Sequence, residues 1–418
     1  MNTRVIVIGA GIIGAATALH LSREGMLVTV CDSGEPGGEQ AASYGNGGWI
    51  SPASIIPMSM PGLWKQVPSF LLDKTSPLTL DWKSLPQLTP WLIRFLLSGA
   101  TKSRASKIAS DLSWLLHDSP TRHRELADSI GQSDLIKQNG LIYVYPDRNH
   151  YEAESFSWQL RRANGVNYVE WDEKTLRARI PAVDERYRFA VHATDGAHCL
   201  NTGAYVHHIV EAAKNAGATH VRENVVKLQA THEGVIATLS SGGQLEADYV
   251  VVAAGAHSNK VLQSLNTYVP MTSERGYHVT IPGDDIPFDT PIMPSTGKMA
   301  NTPTHLGLRL AGQVELATLE KEPNWDRSKV LLIHAMKTYP YLSKRDLSDA
   351  KLWMGHRPSI ADCLPAIGAF KSHRRVIAAF GHAHTGIAAA PKTAEIVAQA
   401  IRGKTSLEAK AFSPQRFE

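Results

Sequence analysis

Two spacings of apolar residues follow each other at the beginning of the chain. Residues 5–8, Val-Ile-Val-Ile, form a short apolar run that predicts a strand buried on both faces. Between residues 15 and 21 the apolar positions recur as on one side of a helix, and Gly25 predicts where that helix ends. Residues 27–30 predict a second strand. The pattern therefore predicts strand, helix and strand in succession, as in a parallel α/β sheet.

The turn between the first strand and the helix carries glycines at the Gly-x-Gly-x-x-Gly spacing, and an acid follows the second strand. In dinucleotide-binding proteins such glycines allow a tight turn, close approach of the backbone to the pyrophosphate, and close packing of helix on strand. The helix N-terminus attracts the phosphates, and the acid accepts hydrogen bonds from the ribose. The glycine motif is weak evidence alone, but here every part of the unit stands in order. The predicted dinucleotide site comprises Gly9, Gly11, Ile12, Ile13, Gly14, Asp32 and Ser33.

Composition argues against several classes of protein. The 418 residues are enough for two domains, and a net charge of +4 gives no reason to expect a nucleic-acid partner. Cys31, Cys199 and Cys363 lie far apart, which disfavours a disulfide framework or a zinc site and favours a reducing compartment. A signal-peptide core at residues 5–19 is disfavoured because Arg4 is the only positive charge before it. No apolar run reaches the ~18 residues of a membrane-spanning helix, so we expect a soluble or peripheral protein. From the cysteines we expect a cytoplasmic protein without a metal site.

The loop that follows the second strand, residues 33–54, is rich in Gly, Ser and Asn and has no periodic pattern. Such a loop can be a plain connection. Its position directly after the second strand favours a place beside the bound pyrophosphate, where amides and hydroxyls can donate hydrogen bonds. We therefore add to the cofactor site Ser43, Asn46, Gly47 and Gly48.

Residues 57–130 begin with segments punctuated by proline and continue with stretches that predict helices, at 90–99 and within 108–130. Trp91 and its apolar neighbours are followed closely by Lys102. Apolar and aromatic residues beside basic ones suit a membrane surface. The second interpretation, which we favour, is a helical insert packed on the substrate domain.

A second doubly buried strand is predicted at residues 250–252, and it runs into the small residues Ala254 and Gly255. After a glycine motif, such a stretch is typical of a flavin domain whose chain returns to its first sheet. We expect Ala254 and Gly255 to approach the cofactor, and Val225 and Val226 to lie on the strand beside the adenine.

The C-terminal part predicts a strand at residues 375–380, a turn rich in Gly and His, and a long helix. A helix N-terminus favours negative charge, so this turn suits the anionic pyrimidine end of a reduced flavin. The two histidines can instead form a hydrogen-bonded turn pair, and a metal site is disfavoured because no cluster of carboxylates or cysteines accompanies them. The turn residues assigned to the cofactor are Gly381, His382, His384, Thr385, Gly386 and Ile387.

Dinucleotide-binding pieces thus alternate along the chain with other strands. We predict an α/β protein with a discontinuous cofactor domain of residues 1–50, 196–265 and 346–418. Residues 51–195 and 266–345 are predicted to form an α+β substrate domain that carries the helical insert.

Taken in order, these motifs resemble the FAD-dependent enzymes of the D-amino-acid oxidase superfamily, and most closely its bacterial D-amino-acid dehydrogenase branch. The resemblance covers nearly the whole chain and is carried by GAGIIG with Asp32, NGGWISPAS, VVVAAGAHS, RGYHVTIP, LRLAGQVE, GHRPSIADCLPAIG and GHAHTGIAAAPKTAEIVAQAI. It implies a Rossmann-like FAD domain of the glutathione-reductase type, joined to an antiparallel-sheet substrate domain over the flavin. It also implies that FAD is bound without a covalent link.

The resemblance further implies a substrate site. Arg357, in a Gly-x-Arg-Pro motif, would bind the substrate carboxylate with its planar fork, and Tyr277 and His278 would be weaker contacts. The implied reaction is hydride transfer from Cα of a D-amino or imino acid, as the neutral amine, to flavin N5, and no protein base is required. Hydrolysis of the imine gives a 2-oxo acid, and the electrons pass to a quinone or respiratory acceptor. Such an acceptor suits a peripheral position on the inner face of the bacterial inner membrane.

Two departures from the family pattern leave the substrate open. Cys363 and Leu364 follow Asp362 where the family commonly has Gly, and Glu274 with Arg275 precedes Gly276 where a Lys is frequent. A cyclic imino acid such as a D-hydroxyproline is therefore also compatible with the sequence as a substrate. So are two different functions, an oxygen-using oxidase of the glycine or sarcosine type and a flavin-binding subunit without turnover. Arg357 argues against the subunit, which has no use for a carboxylate fork.

Overall fold

The fold is described from a computed structural model, which describes residues 2–65 and 75–418. Residues 66–74, within the predicted insert, lie outside the described residues. The strands are β1 (Arg4–Ile8), β2 (Leu27–Cys31), β3 (Trp49–Ile50), β4 (Leu78–Leu80), β5 (Ile136–Lys137), β6 (Leu141–Tyr145), β7 (Tyr168–Trp171), β8 (Phe189–Ala193), β9 (Ala197–Cys199), β10 (Thr219–Val221), β11 (Val225–Ala230), β12 (Val235–Leu239), β13 (Gln244–Ala247), β14 (Tyr249–Val252), β15 (Met271–Ile281), β16 (Ile292–Pro294), β17 (Ala300–Thr304), β18 (Gly307–Leu316), β19 (Lys351–Ile360), β20 (Ala366–Ala369) and β21 (Val376–Phe380). The helices are α1 (Ile12–Arg23), α2 (Leu85–Ser98), α3 (Lys102–Leu116), α4 (Ser119–Ser129), α5 (Arg148–Ala153), α6 (Ser155–Ala163), α7 (Glu173–Arg179), α8 (Thr202–Asn215), α9 (Ser258–Leu262), α10 (Asp326–Thr338) and α11 (Gly386–Ile401).

The first sheet has the strand order β10-β2-β1-β14-β21-β20 and is parallel except for β20, which runs antiparallel to β21. Its central strand β1 pairs with β2 on one side and with β14 on the other. Val5 and Val7 of β1 pack with the helices α1, α8 and α11, whereas Ile6 and Ile8 belong to the core on the opposite face. The predicted strand–helix–strand unit with two buried faces is confirmed, and α1 ends just before Gly25.

The antiparallel strands β11, β12 and β13 cover the second face of this sheet. The strand predicted at residues 250–252 is part of β14, and the residues before it form the separate strand β13. The division falls at Asp248, whose backbone N–H donates to the Arg4 carbonyl and whose carboxylate accepts the Arg4 N–H at 2.7 Å. Asp248 therefore ties the meander to the edge of β1, so the chain re-enters the first sheet in register with it.

A larger sheet, with the order β19-β15-β18-β17-β16-β6-β8-β7, forms the other half of the molecule. Its pairs are antiparallel apart from β16 with β6, and β4 adds to β18 in parallel. The helix α10 packs on one face of β15 and β18. One detail differs from the expected division into domains: β19, at residues 351–360, pairs along its whole length with β15 of this sheet. Only the later strands β20 and β21 join the first sheet.

The helices of the insert contact both halves. Leu88 and Trp91 on α2 pack with Leu316 and Ala361 beside the larger sheet. By contrast, α3 and α4 pack against α11 of the first sheet, because the buried residues of α3 recur three and four positions apart and form one apolar stripe. The insert was expected to pack on the substrate domain; α2 does pack beside the larger sheet, and α3 and α4 also contact the first half. No helix among the described residues is both long and apolar enough to cross a membrane.

Candidate active site

A single cavity of about 1420 Å³ runs between the two sheets. It is lined from the first sheet by most of the residues that the sequence assigns to a dinucleotide, and from the larger sheet by Arg357. The predicted cofactor residues that line it are Gly9, Gly11, Ile12, Ile13, Asp32, Ser33, Ser43, Asn46, Gly47, Val225, Val226, Ala254, Gly255, Gly381, His382, His384, Thr385, Gly386 and Ile387. The structure thus brings together, in one cavity, segments that lie almost 400 residues apart in the chain.

The glycine turn leaves bare backbone at the cavity surface. Gly9 has a φ of +106°, and a Cβ there would lie 2.5 Å from the carbonyl oxygen of Ala253. Gly14 does not line the cavity, since it faces the strand, where a Cβ would overlap the carbonyl oxygen of Gly9. Gly11 is the N-cap of α1 and has no side chain between the first helical turn and the cavity. These positions fit the pyrophosphate of a dinucleotide at the N-terminus of α1.

Asp32 lies at the end of β2 and lines the same cavity. One of its oxygens, Oδ2, accepts the N–H of Ala10 at 2.7 Å, and the second, Oδ1, accepts the N–H of Gly34 at 2.8 Å. Each carboxylate oxygen has a further lone pair, so this orientation leaves Asp32 able to accept hydrogen bonds from ribose hydroxyls.

The loop before β3 is fixed by side chains from both halves of the molecule. Ser43 Oγ accepts the N–H of Ile12 at 2.9 Å, which joins the loop to the N-terminus of α1. The buried Arg309 on β18 donates through Nη1 to the carbonyls of Tyr44 at 3.0 Å and Asn46 at 3.1 Å. Gly48 has a φ of +74° and packs against Cys199 rather than lining the cavity. Arg309 was not predicted from the sequence, because only the pairing of β18 brings it under this loop.

The Gly/His turn before α11 also lines the cavity. His382 Nε2 hydrogen-bonds to Thr393 Oγ1 at 3.0 Å, and Thr385 Oγ1 donates to the His382 carbonyl at 2.9 Å. Burial lowers the pKa of His382 to about 3, so its ring is neutral near pH 7 and is hydrogen-bonded within the turn. The ring of His384, by contrast, is exposed. Among the described residues, no group of three or more His, Cys, Asp and Glu side chains is arranged to hold a metal ion.

Arg357 on β19 presents its guanidinium to the cavity. Its Nη1 donates to the carbonyl of Gln313 at 2.9 Å and its Nη2 to the carbonyl of Gly312 at 3.3 Å. These carbonyls belong to a β-bulge, because Gln313 and Val314 together stand opposite the single residue Gly276, and Gln313 has a φ of +58°. A guanidinium has five N–H donors, so the two that are held leave others free to bind a carboxylate.

Glu274, which was not predicted as a site residue, also lines the cavity. It pairs directly across from Arg357 in the antiparallel strands β15 and β19, so both side chains lie on one face of the sheet. It is 3 % exposed. Burial raises the pKa of Glu274, while a hydrogen bond from Ser359 and the charge of Arg357 oppose that rise.

Tyr277 and His278 do not line the cavity. Tyr277 lies on the opposite face of β15, where its hydroxyl donates to Glu315 Oε2 at 2.5 Å. His278 shares the face of Glu274, but Trp353 stacks on its ring at 5.0 Å and its Nδ1 donates to the carbonyl of Gly45 at 3.2 Å. The structure therefore gives no support to the expected substrate contacts of these two residues. Tyr277 is kept out of the cavity because side chains alternate between the two faces of a strand, and His278 because the indole of Trp353 covers its ring.

A cluster of apolar side chains, called here the apolar wall, lines the same cavity as Arg357. It is formed by Trp91, Leu92, Phe95 and Leu96 of α2 with Leu78, Leu80, Val314 and Leu316. Trp91 stacks on Phe95 at 4.8 Å and donates its Nε1–H to the carbonyl of Ser359 at 3.0 Å, which fixes the indole two residues from Arg357. This wall suits an apolar group bound next to a carboxylate.

The Rossmann-like sheet with its glycine turn and the acid Asp32 has the features of a dinucleotide-binding protein. The chain belongs to the FAD-dependent oxidoreductase family DAO, whose sequence model matches residues 4–400. FAD is accordingly its cofactor, as predicted, and the residues around the glycine turn and Asp32 fit that dinucleotide.

Individual relatives agree with this assignment. The chain is 42% identical over 416 residues to a D-amino-acid oxidase of Bradyrhizobium diazoefficiens, covering 99% of this chain and 98% of that protein. It is 26% identical to a D-amino acid dehydrogenase of Helicobacter pylori, covering 95% and 94%. Its fold matches the crystal structure of glycine oxidase from Geobacillus kaustophilus with a TM-score of 0.74 at 19% identity, covering 99% of each chain. L-Proline dehydrogenase from P. horikoshii matches with a TM-score of 0.74 at 18% identity, covering 100% of this chain and 98% of that one. The predicted fold class is confirmed.

Proposed function

We propose that this protein oxidises a D-amino or imino acid to the imine, which water hydrolyses to a 2-oxo acid. The observation that carries the proposal is the guanidinium of Arg357, held by two carbonyls inside the cavity that the cofactor turn also lines. A fork fixed in this way binds a carboxylate in one orientation and so places the adjacent Cα–H at a defined position. Relatives described as a D-amino-acid oxidase and D-amino acid dehydrogenases support the choice of substrate class.

Each part of the cavity has a task in this reaction. Arg357 binds and orients the carboxylate, and the wall of α2 excludes water from the reacting carbon. The N-terminus of α1, together with Asp32, holds the adenosine and pyrophosphate part of the cofactor. FAD, when bound, supplies the acceptor for the hydride that leaves Cα. The protein contributes binding, orientation and electrostatics.

The proposed electron acceptor is a quinone or another respiratory component. A cytoplasmic protein peripheral to the inner membrane suits such an acceptor. On α2 the side chains of Ile93 and Leu97 are each 55% exposed and could contact a membrane surface. Co-sedimentation with anionic vesicles tests that contact. The native protein is compared with the double variant Ile93→Glu/Leu97→Glu. Equal binding of the two proteins would remove it from the proposal.

The second candidate function is an oxidase that uses oxygen, and the 42% identical D-amino-acid oxidase favours it. The two functions differ in one measurement. A dehydrogenase turns over anaerobically with a dye or quinone and makes negligible peroxide in air, whereas an oxidase makes stoichiometric peroxide. The same assays with glycine, sarcosine and D-hydroxyproline as substrates distinguish D-amino acids from these smaller or cyclic amines.

The central test is anaerobic reduction of the purified holoenzyme by a panel of D- and L-amino acids and prolines. We expect loss of the oxidised-flavin absorbance with at least one D-amino or imino acid. In Arg357→Ala the KM for that substrate should rise by ~100-fold or more, because a charged hydrogen-bonded contact is lost. Arg374→Ala, at an exposed position outside the cavity, is the matched control. Failure of every D-amino and imino acid to reduce the flavin, or an unchanged KM in Arg357→Ala, would contradict the proposal.

A further inference from the structure

Glu274 and Arg357 form a pair of opposite charges at the cavity surface. They stand directly opposite each other on β15 and β19, with side chains on the same face, and both line the cavity. Residues opposed in this way have Cβ atoms about 5 Å apart. A buried carboxylate and a partly buried guanidinium cation therefore lie side by side at the cavity surface.

The back face of the same strands carries a pair of the ordinary structural kind. There Arg275 Nη1 lies 3.3 Å from Glu315 Oε2, and Tyr277 donates to that same carboxylate. Arg275 and Glu315 thus interact with each other and do not line the cavity. In the pair of Glu274 and Arg357, which we call the front pair, the guanidinium of Arg357 donates to two main-chain carbonyls. Glu274 is therefore not needed to fix the guanidinium.

The charges of the front pair match those of an amino acid. If Arg357 binds the substrate carboxylate, an ionised Glu274 stands a few ångströms from that carboxylate and repels it unless a positive group lies between them. The ammonium group on the α-carbon is such a positive group, and it is one carbon away from the carboxylate. Glu274 thus penalises a carboxylate that lacks an amine and favours one that carries it.

We propose, on the basis of the proposed function, that Glu274 binds the substrate amino group and takes its proton before oxidation. An ammonium N–H bond breaks, the proton moves to a carboxylate oxygen of Glu274, and the electron pair stays on nitrogen. The Cα–H bond then breaks with its two electrons as hydride, which FAD accepts, and the nitrogen pair forms the C=N bond. The amine is oxidised and FAD is reduced by the same two electrons.

The surroundings of Glu274 are compatible with that proton transfer. The neighbours of Glu274 are Arg357, directly opposite on β19, Leu316, directly opposite on β18, Ser359, whose side chain hydrogen-bonds to the Glu274 carboxylate, and Cys363 after β19. Burial and nearby charges, Glu274 among them, raise the pKa of Cys363 to about 11, so the thiol is neutral. Arg357 is the cation of this set. Glu274, directly beside it, supplies a carboxylate that can accept a proton from an amine bound next to the guanidinium.

The test compares binding and turnover in Glu274→Gln, which keeps the shape and removes the charge. With benzoate, a carboxylate without an amine, perturbation of the bound-flavin spectrum gives the Kd without turnover. We expect benzoate to bind Glu274→Gln about tenfold more tightly, because the repulsion is gone. With the best D-amino acid, kcat/KM should fall ~100-fold or more and the low-pH limb of its pH profile should disappear. Glu274→Asp should recover part of the lost kcat/KM and part of the low-pH limb.

Matched controls keep the outcomes separate. Glu322→Gln, at an exposed position outside the cavity, should change neither quantity. If Glu274→Gln weakens benzoate and amino acid by the same factor, Glu274 is a structural residue and the inference is overturned. Unchanged benzoate binding together with an unchanged pH profile overturns the inference as well. If Glu274→Gln does not fold, the benzoate Kd and the pH profile of kcat/KM are measured on Glu274→Asp instead. Failure of the proposed function is a different result, since the native holoenzyme itself would then not be reduced by any D-amino or imino acid.

Discussion

Gly276 lies so close beneath Arg357 that a Cβ on residue 276 would overlap the guanidinium carbon. The two residues are on neighbouring strands, two positions out of direct register, and share one face. The missing side chain at 276 is the space in which the fork lies while Gln313 and Gly312 hold its nitrogens.

This relationship predicts the effect of Gly276→Ala. The added methyl group should displace the guanidinium from its two carbonyls, and the KM for the amino-acid substrate should rise by about 10- to 100-fold. Steady-state kinetics with the enzyme normalised to its FAD content give the measurement. Gly243→Ala, at an exposed hairpin where a Cβ meets no atom closer than 3.5 Å, is the control. A KM within twofold of the native value would show that Arg357 does not need this position.

Asp32 provides a prediction about the cofactor alone. In Asp32→Asn the amide keeps its size but loses the charge and one acceptor, so contacts to the ribose and to the N–H groups of Ala10 and Gly34 weaken. We expect the Kd for FAD to rise by about 10- to 100-fold, measured by flavin fluorescence on titration of the apoprotein. The KM of the fully loaded enzyme should stay the same, since Asp32 would contact the ribose of the cofactor and not the substrate. Asp349→Asn is an exposed control, and a retained FAD affinity would remove Asp32 from the site.

The first strand–helix–strand unit and its acid could be predicted from the sequence because their signals are local. The periodicity changes from strand to helix over a few residues, and the glycines and Asp32 stand at fixed offsets from those elements. The turn at 381–387 was found for the same reason, since a glycine turn directly precedes an apolar helix. In each case the contact that matters lies within about 30 residues of its signal.

The residues around Arg357 could not be predicted in the same way. On β15 the alternation of side chains groups residues 274, 276 and 278 on one face and 275 and 277 on the other, but no local signal says which face meets the cavity. Tyr277 was therefore expected in the site and Glu274 was not. The bulge at Gln313 that turns two carbonyls towards Arg357 depends on pairing between strands about 40 residues apart. The position of Arg309 under the loop before β3 depends on a contact more than 260 residues away.

Three buried histidines outside the cavity predict how stability depends on pH. Burial lowers the pKa of His123, His198 and His278 from 6.5 to about 4, 4 and 3, respectively. The folded state therefore binds fewer protons than the unfolded state between pH 6.5 and about 4, and stability must fall as the pH falls through that window. A fall of one pKa from 6.5 to about 4 is worth about 3 kcal/mol.

His123 makes this testable at one position. Its Nε2–H donates to the carbonyl of Ile387 at 2.7 Å and its Nδ1 accepts from the hydroxyl of Tyr205 at 3.0 Å, so the neutral ring links α4 to α11. His123→Gln should flatten the fall in the free energy of unfolding between pH 6.5 and 4, measured by urea titration at saturating FAD. His232→Gln, at an exposed position, should leave the slope unchanged. An unaltered slope in His123→Gln would show that this ring is not the group that titrates.

Phe95 predicts which substrates the cavity prefers. Its ring stacks on Trp91 and forms part of the apolar wall in the cavity that Arg357 also lines. A D-amino acid whose carboxylate is held by Arg357 reaches this wall only when its side chain is large, and burial of such a side chain is worth about 1.5–3 kcal/mol. In Phe95→Ala we therefore expect the KM for D-phenylalanine or D-leucine to rise about tenfold and that for D-alanine to change by less than about twofold. Ile93→Ala, on the exposed side of the same helix, controls for effects on α2 itself. If Phe95→Ala changes all three substrates by the same factor, the wall acts through the stability of the helix and not through contact with the side chain of the substrate.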